Sequence, residues 1–427
     1  MKVATIATHT LGCKLNFAET SNLVRTFVNH GYQIVDFHEK ADVYVINTCT
    51  VTAIAEKKCR NAIRQATSQN KDAIVAVIGC FAQNGSESIA KIPGVSIILG
   101  NNEKHRLFEL INNGITQHTD ISEPCSFELA YSSGDRTRTF FKIQDGCDYF
   151  CTYCAIPFAR GRSRSATIAE TVAKAQEIAK TGTREIVLTG VNTGTFGVHH
   201  GETFFDLIRK LDAIDNIQRY RISSIEPNLI TDEIIDYVAS SKSFLPHFHI
   251  PLQSGSDKVL KMMHRHYDTA LYANKIEKIK KAMPDACIAT DIMAGFNGEN
   301  DDEFDKVCQF VEQLPISYLH VFTYSDRPNT AALKLAEKIP MQVRRMHSKR
   351  LHDISDRKKR QFYESQYGKE RTVLWESTLH KDTNGTHIQG WTDNYIRLQR
   401  PFDQALIGEI TAYPINAASI VAEFSED

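Results

Sequence analysis

The sequence predicts an α/β protein in three successive parts: a parallel sheet flanked by helices, a partial (β/α)6 barrel, and a small all-β barrel. Three observations predict it. Short β-rich runs alternate with helical runs up to about residue 340, cysteines stand just beyond several of those β-rich runs, and helical patterning stops near Arg371. Such alternation gives parallel sheets covered on both faces, and 427 residues exceed one ordinary core.

In the first part, residues 3–8, 42–47, 73–79 and 95–99 are the strand candidates. Residues 16–29, 51–67 and 103–112 have helical spacing between them. A polar stretch over 116–137, with Pro124 and Ser132-Ser133-Gly134-Asp135, reads as a linker. The second part repeats the alternation six times, with strands at 140–145, 185–189, 219–224, 248–252, 287–292 and 318–323. Helical stretches such as 168–180, 204–211, 234–240 and 303–313 separate them. Right-handed crossovers then build a partly closed barrel whose functional groups belong at the carboxyl ends of its strands. After a charged helical stretch over 340–367, five runs at 371–378, 386–391, 395–399, 407–413 and 419–424 read as an OB-type barrel. That fold commonly binds single-stranded nucleic acid.

Basic and acidic residues balance at 50 against 51, a formal charge of −1, so any nucleic-acid surface must be local. Residues 1–7 read as a strand rather than a signal peptide, and no apolar run reaches membrane-spanning length. The expectation is a cytoplasmic chain with no membrane contact. Ten cysteines in such a chain point to metal ligands or buried thiols rather than disulfides.

Cys147, Cys151 and Cys154 form a CxxxCxxC loop directly after the run 140–145. Zinc would need a fourth ligand nearby, and the nearest histidines, His199 and His200, are far along the chain. Three thiolates suit a 4Fe–4S cluster that leaves one iron open. Cys13, Cys49 and Cys80 each follow a predicted parallel strand, so the three could converge at one rim. The other reading makes each a small buried apolar side chain. That second reading holds for Cys59, Cys125, Cys287 and Cys308.

With Tyr153 before its last cysteine, the motif resembles the radical S-adenosylmethionine superfamily. Lys142-Ile143-Gln144-Asp145-Gly146-Cys147, Ala155-Ile156-Pro157 and Arg160-Gly161-Arg162-Ser163-Arg164-Ser165 are similar to its methylthiotransferase branch. That resemblance implies a methylthiotransferase N-terminal domain over 1–115, a radical core over 134–365 and a TRAM domain over 366–427. It implies two 4Fe–4S clusters, the auxiliary one on Cys13, Cys49 and Cys80. One S-adenosylmethionine would donate the methyl group and a second would yield the 5′-deoxyadenosyl radical. Thr10-Leu11-Gly12-Cys13-Lys14-Leu15-Asn16 and Asn47-Thr48-Cys49-Thr50-Val51-Thr52 are most similar to the enzymes that methylthiolate carbon 2 of N6-threonylcarbamoyladenosine beside the tRNA anticodon. Isopentenyladenosine enzymes tend to carry a GCQMN-like run at the first cysteine. Enzymes acting on a ribosomal-protein aspartate carry one nearer GCxKN. The implied partners are a tRNA anticodon stem-loop and a flavodoxin- or ferredoxin-type reductant, the protein itself being monomeric. A contrasting class is a cluster-bearing RNA-binding or electron-transfer protein that never cleaves S-adenosylmethionine.

On the same resemblance, Tyr153, Thr189, Gly190 and Asn192 approach S-adenosylmethionine, as do Ser224 and Glu226. Gln253 and Asp291 are further polar candidates at the rim. Gly190 also reads as an ordinary turn, and Glu226 as a helix N-terminal charge. Asn297-Gly298-Glu299-Asn300 stands where the branch usually has Pro-Gly-Glu-Thr, and residues 323–330 lack its customary proline and glycine. For RNA the candidates are Arg160, Arg162 and Arg164, then Arg357, Lys358 and Arg360 in the basic segment 344–371, with Trp375 and Trp391. The basic segment reads equally as a solvated charged helix. No dedicated general acid–base pair is expected, because hydrogen abstraction and sulfur transfer make most of the bond changes.

Overall fold

The structure, a computed structural model, describes residues 3–134, 137–382 and 385–421. Its first layer comprises β1 (Thr5–Thr10), α1 (Lys14–Asn29), β2 (Gln33–Ile34), β3 (Val43–Thr48), α2 (Ala53–Gln69), β4 (Ile74–Gly79), α3 (Cys80–Ala90), β5 (Ile97–Leu99), α4 (Leu107–Asn112) and β6 (His118–Asp120). The strands form one parallel sheet in the order β2-β1-β3-β4-β5-β6. Parallel strands buried on both faces need continuous apolar runs, and β3 and most of β4 are buried throughout. α1 and α4 cover one face through Leu23, Phe27, Leu107 and Leu110. The other face is covered by Ile63, Ala66, Phe81 and Ile89 of α2 and α3. The sheet thus continues into the stretch read as a linker, where His118 pairs with Ile97.

The barrel follows as β7 (Ala130–Tyr131), β8 (Arg138–Lys142), β9 (Gln144–Asp145), α5 (Ile156–Arg160), β10 (Arg164–Ser165), α6 (Ile168–Ala179), β11 (Glu185–Thr189), α7 (Phe204–Leu211), β12 (Arg219–Ile222), α8 (Asp232–Ser240), β13 (His247–His249), α9 (Asp257–Met262), α10 (Thr269–Ala282), β14 (Cys287–Ala294), α11 (Asp301–Gln313) and β15 (Tyr318–Thr323). β8, β11 and β12 pair in parallel, as do β13, β14 and β15. Two parallel bridges, Tyr220 to Phe244 and Ser224 to His249, join the halves into an open six-strand barrel. β7 adds an antiparallel edge to β8. Side-chain caps from Thr167, Thr203, Thr231, Asp268 and Asn300 start the crossover helices.

α12 (Met341–Glu364) lies along the end of the barrel, where Ser355 Oγ donates to Leu319 O and accepts from Leu319 N. It leads into β16 (Glu370–Asp382), β17 (Gly385–Thr392), β18 (Arg397–Pro401) and β19 (Ile410–Pro414), a curled antiparallel sheet ordered β18-β17-β16-β19. The second half of the expected fifth strand, 419–424, falls outside the described residues; within them one bridge joins Leu398 to Ile420. This sheet closes the amino-terminal floor of the barrel. Arg219 of β12 donates to Trp391 O (3.1 Å) and Thr372 Oγ1 (2.8 Å), and Arg221 donates to Asp393 O (3.1 Å).

The first layer is locked to the barrel by buried charges. Glu19 of α1 accepts from Lys142 of β8 (2.7 Å) and Arg160 of α5 (3.2 Å) and pairs with Lys104 (2.6 Å). Asp145 of β9 pairs with Arg160 (2.9 Å) and Lys142 (2.8 Å). Burial would push both carboxyls up, yet the surrounding cations, Arg160 foremost, hold them well below the usual range. A carboxyl whose folded pKa is depressed contributes stability above its unfolded pKa, near 4, and loses it as pH falls further. Asp145→Asn should therefore lower unfolding free energy by about 3–5 kcal/mol at pH 7, because it strands buried cations. Denaturant titrations over pH 3–7 should also show a shallower acid loss in the variant than in the parent.

Candidate active site

Parallel strands deliver all their carboxyl ends to one rim, and both cysteine triads lie on such rims. Cys13 is the N-cap of α1, Cys49 follows β3 directly, and Cys80 is the first residue of α3 after β4. Strands β1, β3 and β4 are neighbours, so the three thiols stand side by side. Gly12 (φ +102°) lets Cys49 approach so closely that a Cβ there would lie 2.9 Å from Cys49 Cβ. Burial and the neighbouring thiols push Cys49 up to about 12. Burial also raises Cys13, against the pull of Arg160. Asn101 Nδ2 approaches Cys80 Sγ at 3.7 Å.

The second triad sits between β9 and α5. Gly146 (φ +69°) makes the turn possible, since a Cβ would fall 1.9 Å from Arg162 O. Backbone bonds then shape the loop: Cys147 N to Gly161 O (3.1 Å), Cys154 N to Cys151 O (3.0 Å) and Thr152 N to Met263 O (3.1 Å). Cys147 and Cys154 are each pushed up to about 12, chiefly by burial. All six cysteines are free of disulfides. Thiols grouped in threes, with Cys80 and Cys151 buried and the other four at least partly open, suit a polynuclear cationic centre that supplies positive charge to both sets. The donor sets fit iron–sulfur clusters.

One cavity of about 280 Å³ opens over this loop. Cys147, Cys151, Cys154, Tyr153, Asn192, Ser224, Glu226, Gln253 and Asp291 all line it. Gln253 does so at φ +66°, a conformation side chains rarely adopt, which turns the chain after β13 into the cavity. Thr189 and Gly190 do not line it. Thr189 is buried in the β8–β11 pairing, and Gly190 leaves room for Gln144, whose Oε1 would lie 2.7 Å from an added Cβ. Gln144 is the residue the sequence reading overlooked here. Its amide donates to Asp145 O, Gly146 O and Ser163 Oγ and accepts from Asn192 N (2.9 Å), tying the cysteine loop to the β11 loop.

Arg265 was equally unmarked, since nothing in Met262-Met263-His264-Arg265-His266 signals a site. It ion-pairs with Glu226, donates to Cys151 Sγ (3.0 Å) and reaches Tyr153 Oη (3.4 Å). Burial raises the Glu226 carboxyl and Arg265 only partly offsets that. Asp291 takes His249 Nε2 at 2.7 Å, with His320 beside them. Val51 and Thr52, two and three residues beyond Cys49, also line the cavity, as does Ser325. Ser325 Oγ accepts from Ala53 N (3.2 Å), and Arg327 pairs with Glu56 (2.7 Å), so the first layer seals this wall. Asn297, in place of the usual proline, is held by Arg344 (3.1 Å) and Ala332 O (3.2 Å), and Glu299 accepts from Gly295 N.

Several expected RNA contacts are corrected. Arg160 is 1% exposed and saturated by Glu19, Asp145 and Asn16, so it clamps layers together rather than meeting phosphate. Lys358 is buried with its ammonium on Glu312 O and Leu314 O. Trp375 is wholly buried in the C-terminal core. Trp391 stacks on Tyr395 at 4.3 Å above the barrel floor, and Arg164 donates to the carbonyls of Arg160, Arg162 and Ser126. Arg357 is exposed but paired with Glu312 (2.7 Å), and Arg360 is exposed on α12. Arg162 stays outward, 4.6 Å over the ring of exposed Phe150 in the cysteine loop.

The Gln144 brace is testable. Gly190→Ala should overpack it and cost about 1–3 kcal/mol in denaturant unfolding. Adding Gln144→Ala should recover part of that loss rather than add to it.

Two family models match the chain: the uncharacterized protein family UPF0004 over residues 5–100 and the radical SAM superfamily over residues 141–311. The chain is 38% identical to the threonylcarbamoyladenosine tRNA methylthiotransferase MtaB of Bacillus subtilis (strain 168), covering 98% of this chain and 97% of that one. It is 35% identical to the enzyme of the same name from Aquifex aeolicus (strain VF5), over 92% and 96%. Among solved structures, the radical S-adenosylmethionine methyltransferase TsrM of Kitasatospora setae shares the fold. The TM-score is 0.56 at 15% identity, over 79% of this chain and 78% of that one.

Proposed function

The chain belongs to the radical S-adenosylmethionine methylthiotransferases, and from that premise we propose how its residues divide the work. It is a tRNA methylthiotransferase for N6-threonylcarbamoyladenosine, the activity of relatives matched over nearly its whole length. One observation carries the assignment of roles: a single cavity is lined by Cys147, Cys151 and Cys154 and also by Val51 and Thr52, just beyond Cys49.

Cys147, Cys151 and Cys154 hold the cluster that engages S-adenosylmethionine, and Cys13, Cys49 and Cys80 hold the auxiliary one. When bound, these groups supply one-electron reduction, radical hydrogen abstraction and sulfur for insertion at carbon 2. The chain's own tasks are binding, orientation and exclusion of water. Asn192, Ser224, Glu226 and Gln253 offer hydrogen-bond partners for the amino acid and ribose parts of S-adenosylmethionine, with Tyr153 beside them. Thr189 and Gly190 act indirectly, by seating Gln144. Arg265 orients Glu226 and donates to a ligating sulfur, a contact of the kind that tunes cluster potential. Arg160 adds positive charge beside Cys13, countering the anionic thiolates.

Phe150 and Arg162, exposed at the cysteine loop, offer a stacking ring and a cation to an unpaired anticodon loop, whose bases leave their stack cheaply. The reductant is of flavodoxin or ferredoxin type, and the enzyme acts as a monomer in the cytoplasm. Among the described residues, no helix is long and apolar enough to cross a membrane.

Anaerobic reconstitution followed by mass spectrometry of product and tRNA nucleosides tests this division. Cys151→Ala should abolish 5′-deoxyadenosine formation. Cys49→Ala should retain it while yielding no methylthio nucleoside; methylthiolation by that variant would remove the auxiliary role.

A further inference from the structure

Lys14 has no task in the chemistry above. It is the first residue of α1, one position past Cys13, and is partly buried. Among the described residues it has neither a hydrogen bond nor an ion pair. Its charge is felt by Asp291 and His320 on β14 and β15, by His247 on β13 and by Tyr395 at the barrel floor. Phe17 and Ala18, three and four residues further along the same helix face, pack with Phe140 of β8 and Val187 of β11, so the face that carries Lys14 is turned to the barrel.

Among the described residues, the carboxylates nearest to it already have hydrogen-bonding partners. Asp291 holds His249 at 2.7 Å, and Glu185 takes Arg221 at 3.0 Å and Arg219 at 3.5 Å. Arg138 pairs with Glu376 at 3.2 Å. Lys14 is the surplus charge. A partly desolvated cation without a counterion is unfavourable unless a ligand brings an anion.

The substrate brings one, because the N6 substituent of threonylcarbamoyladenosine ends in a carboxylate. On the purine ring, carbon 2 and carbon 6 flank the same nitrogen. When carbon 2 faces sulfur held near Cys13, the N6 substituent leaves from the adjoining edge. A lysine rooted one residue from Cys13 is placed to meet it. We propose that Lys14 determines substrate specificity by binding the threonyl carboxylate, which deepens and rests on the tRNA methylthiotransferase reading above. A neutral N6 substituent would leave the ammonium unpaired, so the same residue that welcomes the acid disfavours an apolar side chain.

The test uses reconstituted holoenzyme and anticodon stem-loops carrying threonylcarbamoyladenosine or its methyl ester. Binding is read by fluorescence anisotropy and conversion by mass spectrometry. The parent should bind the acid about tenfold more tightly than the ester, the range of one charge-assisted contact. Lys14→Met should bring that ratio close to one by weakening the acid alone, at unchanged iron content, whereas Lys14→Arg should keep most of it. A Lys14→Met enzyme that retains the ratio overturns the proposal and leaves Lys14 as a counter-charge for the neighbouring thiolates. If that variant does not fold, a parent ratio near one overturns it equally. A parent that converts neither RNA overturns the underlying reading instead.

Discussion

A buried knot of opposite charges, Glu19 and Asp145 among Arg160, Lys142 and Lys104, sets where both cysteine triads stand. Glu19 lies one and a half turns along α1 from Cys13. Asp145 lies two residues before Cys147, and Arg160 closes the short helix that follows Cys154. Apolar layers can slide over one another at little cost, whereas shared carboxylates with several fixed donors accept one registry. Buried ions of this kind contribute more to uniqueness than to net stability. Here they fix the spacing between the two cysteine triads.

The knot carries more positive than negative charge, and the excess lies beside Cys13. Ionised thiols bring negative charge, so a cationic wall behind this triad favours their thiolate form. The other triad has a single arginine, Arg265, shared among Cys151, Tyr153 and Glu226. The two cysteine triads thus meet different electrostatic surroundings despite equal numbers of thiols.

What the sequence revealed was local. The strand-end positions of Cys13, Cys49 and Cys80, the CxxxCxxC loop and the six barrel strands all follow from periodicity over a few residues. Cys80 proved to begin a helix rather than a loop, because Gly79 turns the chain at φ +94° directly into α3. Gln144 and Arg265 escaped notice because their partners lie tens to more than a hundred residues away. Two of the RNA candidates, Arg160 and Lys358, proved buried for the same reason in reverse. Arg160 and Lys358 look free in sequence, and the acids and carbonyls that satisfy them come from other elements. A basic count along one helix cannot register the acids of its neighbour.

The C-terminal sheet seals the barrel from below, with Arg138 over the Trp391 ring, Arg221 over the Tyr395 ring and Arg219 donating to Trp391 O. A unit held only by a tether could be exchanged between enzymes during evolution without disturbing the catalyst. This one plugs the vessel in which the catalyst works, so its inner loop should drift in step with the barrel's lower rim, leaving only the outward strands free to diverge toward new nucleic acids.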